Sequence, residues 1–202
     1  MRRFREKALV LATHNKGKLA EIQDLLRPFD IAVKSAGDLG LPEPDETETT
    51  FVGNARIKAH AAAAATGLPA LADDSGITVD ALGGAPGVYT ADWAETPQGR
   101  DFVMAMTRVW AELEAKNAPF PRLAQFRSTL VLAWPDGHDE IFDGVMEGEV
   151  IWPMRGTNGH GYDPIFVPKG QNMTFAEMDS AAKNAISHRG RAFSKMIAGC
   201  FS

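Results

Sequence analysis

A strand–turn–helix–strand pattern near the start of the chain constrains the fold more than any other feature. Residues 8–12 (ALVLA) form a short apolar run between polar residues, which predicts a buried strand. Residues 16–26 carry their leucines and isoleucine at the spacing of an amphipathic helix, and Pro28 ends that helix. A second strand is predicted at residues 31–33. This order of elements is typical of α/β folds.

The middle of the chain continues the alternation of helix and strand. Residues 51–66 are rich in alanine and predict a helix that ends at Gly67, a residue suited to a C-terminal cap. Residues 70–72 and 77–79 are predicted as two short strands on either side of a turn at residues 73–76.

The second half of the chain mixes helices with a hairpin. Residues 97–114 predict a helix, and residues 127–134 and 140–151 predict two strands joined by a Pro-Asp-Gly turn. A last helix is expected from Ser180 onward, and Gly190 is a residue that can break it. Both parallel and antiparallel strands are therefore expected.

Size and composition exclude several classes of protein. Without repeats or linkers, residues 1–202 are expected to form a single domain. The net charge of −5 argues against a nucleic-acid polymer as the main partner, since such proteins usually carry a basic surface. Cys200 is the only cysteine, so neither an intrachain disulfide nor a multi-thiolate metal site is expected. No apolar stretch is long enough for a signal peptide or a membrane span, so we expect a cytoplasmic protein that does not act at a membrane.

Residues 13–18 (THNKGK) lie where the first predicted strand gives way to the first helix. A helix N-terminus favours phosphate because its N–H groups are free and its dipole is positive there. Two lysines and the side chains of Thr13 and Asn15 add further donors. The spacing is not that of a Walker loop. The same residues also fit an ordinary helix cap with two solvated lysines, and both interpretations remain open.

Asp73-Asp74-Ser75-Gly76 places two adjacent carboxylates at the end of an apolar run. Because successive strand residues face opposite sides, the two carboxylates are expected to have different roles. One can bind a metal or activate water, while backbone donors hold the other. Mg²⁺ typically takes one or two carboxylates, with substrate phosphates completing its shell. An ordinary Asp-rich turn is the alternative.

Two further segments have side chains suited to ligand binding. The acidic run at residues 43–48 would usually be solvated, but it could supply a second carboxylate to a metal held by Asp74. The glycines of residues 156–164 let a backbone approach a planar ligand, and Tyr162 or His160 could stack on a base. A flexible connection is the alternative for this second segment.

Ser187-His188-Arg189 lies in the last helical region, four residues after Lys183. This spacing predicts that Lys183 and Ser187 share a helix face. The His and Arg donors could recognise base oxygens or hold a phosphate, although a single His-Arg pair is weak evidence. No nucleophile triad is evident, because Ser75 lacks the G-x-S-x-G elbow.

Taken together, these segments resemble the inosine triphosphate pyrophosphatase family. The matching motifs, which run from about Leu9 to Ala192, are ATHNKGK, TFVGNARIKA, ADDSGI, GGAPGVYTADWA, GTNGHGYDPIF and KNAISHRGRA. Members of that family hydrolyse dITP, ITP and XTP to the monophosphate and pyrophosphate. The resemblance implies a mixed α/β fold with an elongated central sheet flanked by helices, two lobes with a cleft between them, and a homodimer.

The resemblance also implies roles for individual residues. Asp74 matches the general base and a Mg²⁺ ligand, and Glu46, together with Asp45, matches the acidic position that helps to hold the metal. Which of these last two carboxylates binds Mg²⁺ is left open. The positions that match substrate-binding residues are Thr13, His14, Asn15, Lys16, Gly17, Lys18, Lys58, Ser75, His160, Gly161, Tyr162, Asp163, Lys183, His188 and Arg189.

In the mechanism that the resemblance implies, Mg²⁺ neutralises the triphosphate and Asp74 deprotonates a water that attacks the α-phosphorus. Lysines would stabilise the leaving pyrophosphate, and donors aimed at a 6-keto oxygen would select hypoxanthine or xanthine over adenine. One alternative is a non-catalytic nucleotide-binding module, which needs neither Asp74 nor the acidic run. Another is a phosphohydrolase for modified pyrimidine triphosphates. The pair His188-Arg189 and the GYDP loop favour the purine substrate.

The sequence departs from the family pattern at four positions. His160 stands where many members have Phe, and Gly53 replaces a common Glu. Asp92 and Glu95 occupy positions that often hold Arg and Gly. These differences bear on the ranking of substrates more than on the reaction.

Overall fold

The computed structural model describes residues 1–201, and the strands there form two sheets. The strands are β1 (Ala8–Leu11), β2 (Ala32–Ser35), β3 (Ala70–Val79), β4 (Glu95–Thr96), β5 (Gly99–Arg100), β6 (Leu123–Ala133), β7 (Asp139–Val150) and β8 (Phe166–Pro168). The main sheet has the order β2-β1-β3-β6-β7-β8, and β4 and β5 form a separate pair. Strand β1 is parallel to both β2 and β3, whereas β7 and β8 are antiparallel.

Helices accompany this sheet. They are α1 (Lys16–Leu26), α2 (Phe51–Thr66), α3 (Phe102–Ala115), α4 (Ser180–Ile186) and α5 (His188–Met196). Within residues 1–201, none of the helices combines the length and the apolar character needed to cross a membrane. The predicted mixed α/β fold with a central sheet flanked by helices is confirmed.

The helix α2 shows why the local predictions were accurate. Thr50 caps its start, because the Thr50 Oγ1 accepts a hydrogen bond from the backbone N–H of Gly53 at 3.1 Å. Gly67 ends it in the left-handed conformation, with φ of 66°. Between them, the small side chains of Ala55 and Ala59 are fully buried in an alanine-rich core cluster.

The prediction of two short strands around a turn at residues 73–76 is wrong. Residues 70–79 form one continuous strand, β3, that runs through the Asp-Asp-Ser-Gly segment. The strand partners of β3 are β1, which pairs with residues 70–71 only, and β6 on the other side. Pairing with β6 outweighs the local turn preference of Asp, Ser and Gly.

The predicted start of the third helix is also wrong. Residues 95–100 form the β4–β5 hairpin, and α3 begins only at Phe102. Asp101 caps the helix, because its carboxylate accepts a hydrogen bond from the N–H of Met104 at 3.0 Å.

The break in the last helical region falls at Ser187, not at Gly190. Ser187 has an extended backbone, and its Oγ accepts a hydrogen bond from the N–H of Gly190 at 3.0 Å, as a capping side chain does. Gly190 is required for packing instead, since a Cβ there would lie 2.0 Å from the carbonyl oxygen of Asn184. Lys183 and Ser187 therefore do not share one helix face.

The chain divides into two compact units. The first consists of Met1–Asp74, Ser128–Asp143 and the residues from Ala192 on, and the second of Ser75–Arg127 and Gly144–Arg191. The first unit contains two apolar clusters, which lie on opposite faces of β1 and its neighbouring strands. The second unit contains one large apolar cluster that is rich in aromatic residues. The expected cleft between two lobes stays a prediction.

Candidate active site

Residues 13–18 contain a helix cap, which both interpretations of this segment allow. Asn15 precedes α1, and its Oδ1 accepts a hydrogen bond from the N–H of Lys18 at 3.1 Å. Thr13 Oγ1 in turn accepts from the N–H of Asn15 at 3.2 Å. Such a cap leaves other N–H groups of the first turn, including those of Lys16 and Gly17, without intrahelical partners. The cap is therefore compatible with phosphate binding at the same turn.

Asp73 connects this turn to the sheet. Leu11, the last residue of β1, pairs with Leu71, so Asp73 lies beside the segment that follows β1. The Asp73 side chain is completely buried, with one oxygen 2.7 Å from Lys18 Nζ and the other accepting a hydrogen bond from Ser128 Oγ at 2.5 Å. Asp73 therefore holds Lys18 in place, and its oxygens are engaged by the side chains of Lys18 and Ser128, where the sequence had suggested backbone donors for one of the two carboxylates.

Asp74 belongs to a separate cluster around Lys58. The Lys58 ammonium donates to Glu46 Oε1 at 2.5 Å and to the backbone carbonyl of Asp73 at 3.0 Å, and it lies 3.7 Å from Asp74 Oδ1. Lys58 and Asp74 are buried, whereas Glu46 is partly exposed. One buried lysine therefore brings together two carboxylates that are far apart in the sequence.

The electrostatics of this cluster favour a basic carboxylate. Burial raises the pKa of Asp74 to about 6, although the positive charges of Lys58 and Lys18 oppose the shift. Burial alone would lower the pKa of Lys58, but the charges of Asp74 and Glu46 raise it above its ordinary value. Lys58 is therefore charged near neutral pH, while Asp74 has a pKa close to the range suited to proton transfer.

The donor set of Glu46 and Asp74 fits Mg²⁺. Among residues 1–201 no group of three or more His, Cys, Asp or Glu side chains is arranged to hold a metal. A site with one or two carboxylates is nevertheless usual for Mg²⁺ when substrate phosphates complete the shell. Of the two acidic residues left open by the sequence, Glu46 contacts the cluster and Asp45 points to an exposed position.

A second cluster surrounds Asp163. Its buried carboxylate accepts hydrogen bonds from Lys183 Nζ at 2.7 Å and from the backbone N–H of His160 at 2.9 Å. Gly159 is required here, because a Cβ at that position would lie only 2.1 Å from Asp163 Oδ2, and its φ is 73°. Asp163 and Lys183 thus fix the shape of the glycine-rich loop and leave His160 at the surface.

Tyr162 does not have the stacking role that the sequence suggested. Its side chain is 1% exposed, and its hydroxyl donates to the backbone carbonyl of Thr90 at 2.8 Å. The ring meets Phe102 edge-on, with centroids 5.8 Å apart. A buried ring with an engaged hydroxyl is a core residue, and stacking by the exposed His160 stays a prediction.

His188 and Arg189 are both buried at the start of α5. The His188 imidazole stacks on Phe126 with ring centroids 4.8 Å apart. The Arg189 guanidinium, 2% exposed, donates from Nη2 to Ser75 Oγ at 3.1 Å. The structure therefore brings together Ser75 and Arg189, two residues predicted to contact the substrate.

The sequence predictions missed the residues that support these clusters. Ser128 donates a hydrogen bond to Asp73, and the ring of Phe126 stacks on His188. The backbone carbonyl of Thr90 accepts a hydrogen bond from Tyr162. A signal for Ser128 was present, because Ser128-Thr129 directly precedes the apolar run at residues 130–133 of β6. Phe126 and Thr90 had no such signal.

The geometry first defines a class of protein. A lysine-rich turn after the carboxyl end of a parallel strand, with buried carboxylates on the neighbouring strand, is typical of α/β proteins that bind phosphorylated ligands. More particularly, the chain belongs to the Ham1 family, whose model matches residues 9–199.

The relatives agree with this family. The chain is 68% identical over 200 residues to a dITP/XTP pyrophosphatase of Ruegeria pomeroyi, with 99% of this chain and 98% of the relative covered. It is 57% identical over 211 residues to a dITP/XTP pyrophosphatase of Rhizobium meliloti, with 99% of each covered. The solved structure of a HAM1 protein from Coxiella burnetii matches with a TM-score of 0.87 at 42% identity, covering 96% of this chain and 98% of that one. The family recognised from the sequence motifs is confirmed.

Proposed function

We propose that this chain is a dITP/XTP pyrophosphatase, which hydrolyses dITP, ITP and XTP to the nucleoside monophosphate and pyrophosphate. The observation that carries the proposal is the buried Asp74 carboxyl, with its pKa raised to about 6 beside Lys58 and Glu46. The names of the closely similar relatives support the choice of reaction and substrate.

Asp74 is the general base of the proposed reaction. It accepts a proton from the water that attacks the α-phosphorus, and the bond between the α-phosphorus and the bridging oxygen breaks to release pyrophosphate. A carboxyl with a pKa near 6 is mostly ionised at pH 7 and is a stronger base than an ordinary aspartate. Lys18 and Lys58 donate hydrogen bonds to the phosphate oxygens and stabilise the charge on the leaving group.

Glu46 and Asp74 would hold Mg²⁺, which when bound neutralises part of the triphosphate charge. Asp73 does not serve as a ligand in this scheme, because both of its oxygens are engaged by Lys18 and Ser128. The first turn of α1 supplies backbone N–H donors, and the exposed Lys16 supplies a further positive charge for the phosphates.

We assign recognition of the purine nucleobase to residues of the second unit. Arg189 and His188 supply donors for the 6-keto oxygen of hypoxanthine or xanthine, and Ser75 fixes the Arg189 guanidinium. An adenine amino group would place donor against donor and leave buried polar groups unpaired, which disfavours binding strongly. Asp163 and Lys183 shape the loop that presents His160 for stacking.

Four broader features complete the proposal. They are dependence on Mg²⁺, a homodimeric state, a cytoplasmic location, and a single functional domain over residues 1–202. The oxygen donor set of Glu46 and Asp74 supports the first, and the span of the Ham1 match supports the last. The homodimer follows from the family resemblance, and the presence of a single cysteine is compatible with a reducing compartment.

A substrate panel tests the proposal. The chain would be incubated with Mg²⁺ and ITP, XTP, dITP, GTP, ATP or dUTP, and pyrophosphate and orthophosphate would be separated. We expect pyrophosphate from ITP or XTP at least about a hundredfold faster than from ATP, a ratio that polar recognition of a base can supply. Orthophosphate as the direct product, or equal rates across the panel, would contradict the proposal.

Replacement of the proposed base tests the mechanism. Asp74→Asn should lower kcat by about 10²–10⁴-fold, the usual contribution of general base catalysis, while the fold is retained. Asp143→Asn is a matched control, because Asp143 is an exposed aspartate outside both clusters. If Asp74→Asn turned over substrate at nearly the rate of the unaltered chain, a residue other than Asp74 would be the general base.

A further inference from the structure

The acidic segment at residues 41–48 carries Glu46 and is anchored at its two ends. At the first end, the carbonyl oxygen of Leu41 lies 3.0 Å from His14 Nε2. At the second, the N–H of Glu48 donates to Asn54 Oδ1 at 3.0 Å, and Asn54 is a buried residue of α2. Residues 41–48 adopt no regular secondary structure. The side chains of His14 and Asn54 therefore contribute to where the segment lies, together with the backbone hydrogen bond from the Leu41 N–H to the Ala36 carbonyl at 3.0 Å.

Both ring nitrogens of His14 contact the start of the acidic segment. Besides the contact of Nε2 with Leu41, its Nδ1 lies 4.0 Å from Glu43 Oε2. Both ring nitrogens of His14 thus face the acidic segment. This placement differs from the direct contact with substrate that the sequence motif implied for His14.

Leu41 packs against the alanine-rich core cluster, but the residues that follow it border a cavity. A small cavity of about 100 Å³ is lined by His14, by residues 41–44, and by Lys58 and several alanines of α2. Where a cavity separates two chain segments, dispersion contacts between them are lost. The hydrogen bond from His14 to Leu41 therefore makes a larger share of the interactions that fix residues 41–44 than it would if the two segments were closely packed.

We infer that His14 is a positioning residue for Glu46. On the basis of the proposed function, it holds the acidic segment so that the Glu46 carboxylate stays beside Lys58 and Asp74, where it can contribute to Mg²⁺ binding. Glu46 is only five residues beyond Leu41 and is itself partly exposed, so the freedom of its backbone depends on the anchors. Asn54 provides the second anchor.

Two substitutions of His14 separate positioning from other roles. His14→Ala removes the donor to Leu41. His14→Gln retains it, because the glutamine amide nitrogen can take the place of Nε2. His138→Ala is the matched control, since His138 also contacts a glutamate, with Nε2 3.0 Å from Glu140 Oε1, but lies in the β6–β7 turn.

The first measurement is amide hydrogen exchange of the chain without nucleotide or metal. In His14→Ala we expect exchange at residues 41–48 to become about fivefold faster, the factor that one net hydrogen bond supplies. His14→Gln and His138→Ala should match the unaltered chain in this segment. Unchanged exchange in His14→Ala would overturn the inference, whatever the activity of the protein.

The second measurement is the Mg²⁺ dependence of dITP hydrolysis. His14→Ala should raise the half-saturating Mg²⁺ concentration by about fivefold and leave kcat at saturating Mg²⁺ nearly unchanged, while His14→Gln restores the normal concentration. A raised KM for dITP at saturating Mg²⁺, with unchanged Mg²⁺ dependence, would show a direct substrate contact and overturn the inference. Failure of His14→Gln to restore the Mg²⁺ dependence would also overturn it. If the unaltered chain releases no pyrophosphate, the proposed function fails, and the exchange experiment still tests the anchor.

Discussion

Replacement of Ser128 by alanine tests how the buried aspartate of the phosphate site is held. Ser128 is 1% exposed and donates from Oγ to Asp73 Oδ1 at 2.5 Å, and Asp73 is 2% exposed. Ser128→Ala removes this donor without adding any atom that could clash. A buried carboxylate then loses the donor to one of its oxygens, while Lys18 stays beside the other.

The magnitude follows from the burial of both partners. A hydrogen bond to a charged group contributes about 1.5–3 kcal/mol, so Ser128→Ala should lower the free energy of unfolding by about this amount. For a chain of this size, each kcal/mol lowers Tm by about 2–4 °C, which gives a decrease of about 3–12 °C. Because Asp73 also holds Lys18, we expect kcat/KM for dITP to fall by about tenfold, equivalent to about 1.4 kcal/mol of transition-state stabilisation.

The neighbouring residue provides the control. Thr129 donates from Oγ1 to Asp143 Oδ1 at 2.5 Å, but Asp143 is exposed. Water can replace the lost donor there, so Thr129→Val should cost only about 0.5–1.5 kcal/mol and leave kcat/KM unchanged. Denaturant unfolding and steady-state kinetics measure both effects. The reasoning is refuted if Ser128→Ala is as stable as the unaltered chain, or if Thr129→Val is the more damaging of the two.

Two further predictions concern residues outside the phosphate cluster. Tyr162→Phe should lower the free energy of unfolding by about 1–2 kcal/mol through the lost bond to Thr90, with an unchanged KM for dITP, and a large rise in KM would contradict the burial of the ring. Asp139 has a pKa held below its ordinary value by hydrogen bonds from Arg56, which outweigh the opposing effect of burial, with His60 adding a smaller contribution. Its contribution to stability is therefore present above the unfolded pKa and is lost as the pH falls through the lower folded pKa. Asp139→Asn should reduce stability at pH 7 and flatten the acid side of the stability profile, and an unchanged acid profile would contradict this.

The elements that the sequence predicted well depend on local patterns. The boundaries of α1 and α2 follow from apolar spacing, the caps at Asn15 and Thr50, and the end at Gly67. Each of these features acts within a few residues along the chain. The β6–β7 hairpin was also predicted, because its turn has residues with suitable backbone preferences.

The features that the sequence did not reveal depend on partners that are distant along the chain. The Asp-Asp-Ser-Gly segment continues a strand because β6 lies beside β3, and the local turn preference gave no sign of this partner. Tyr162 resembled a stacking residue because its partner, Thr90, lies 72 residues away. The family resemblance identified Asp74 and Glu46 as related residues, but only the contacts of Lys58 explain how they come together.

The position of water attack tests the central claim most directly. The chain would hydrolyse dITP with Mg²⁺ in ¹⁸O-labelled water, and mass spectrometry would locate the label in the products. If Asp74 activates a water that attacks the α-phosphorus, one ¹⁸O atom appears in the nucleoside monophosphate and none in pyrophosphate. Label in pyrophosphate, or in orthophosphate as the first product, would contradict the account.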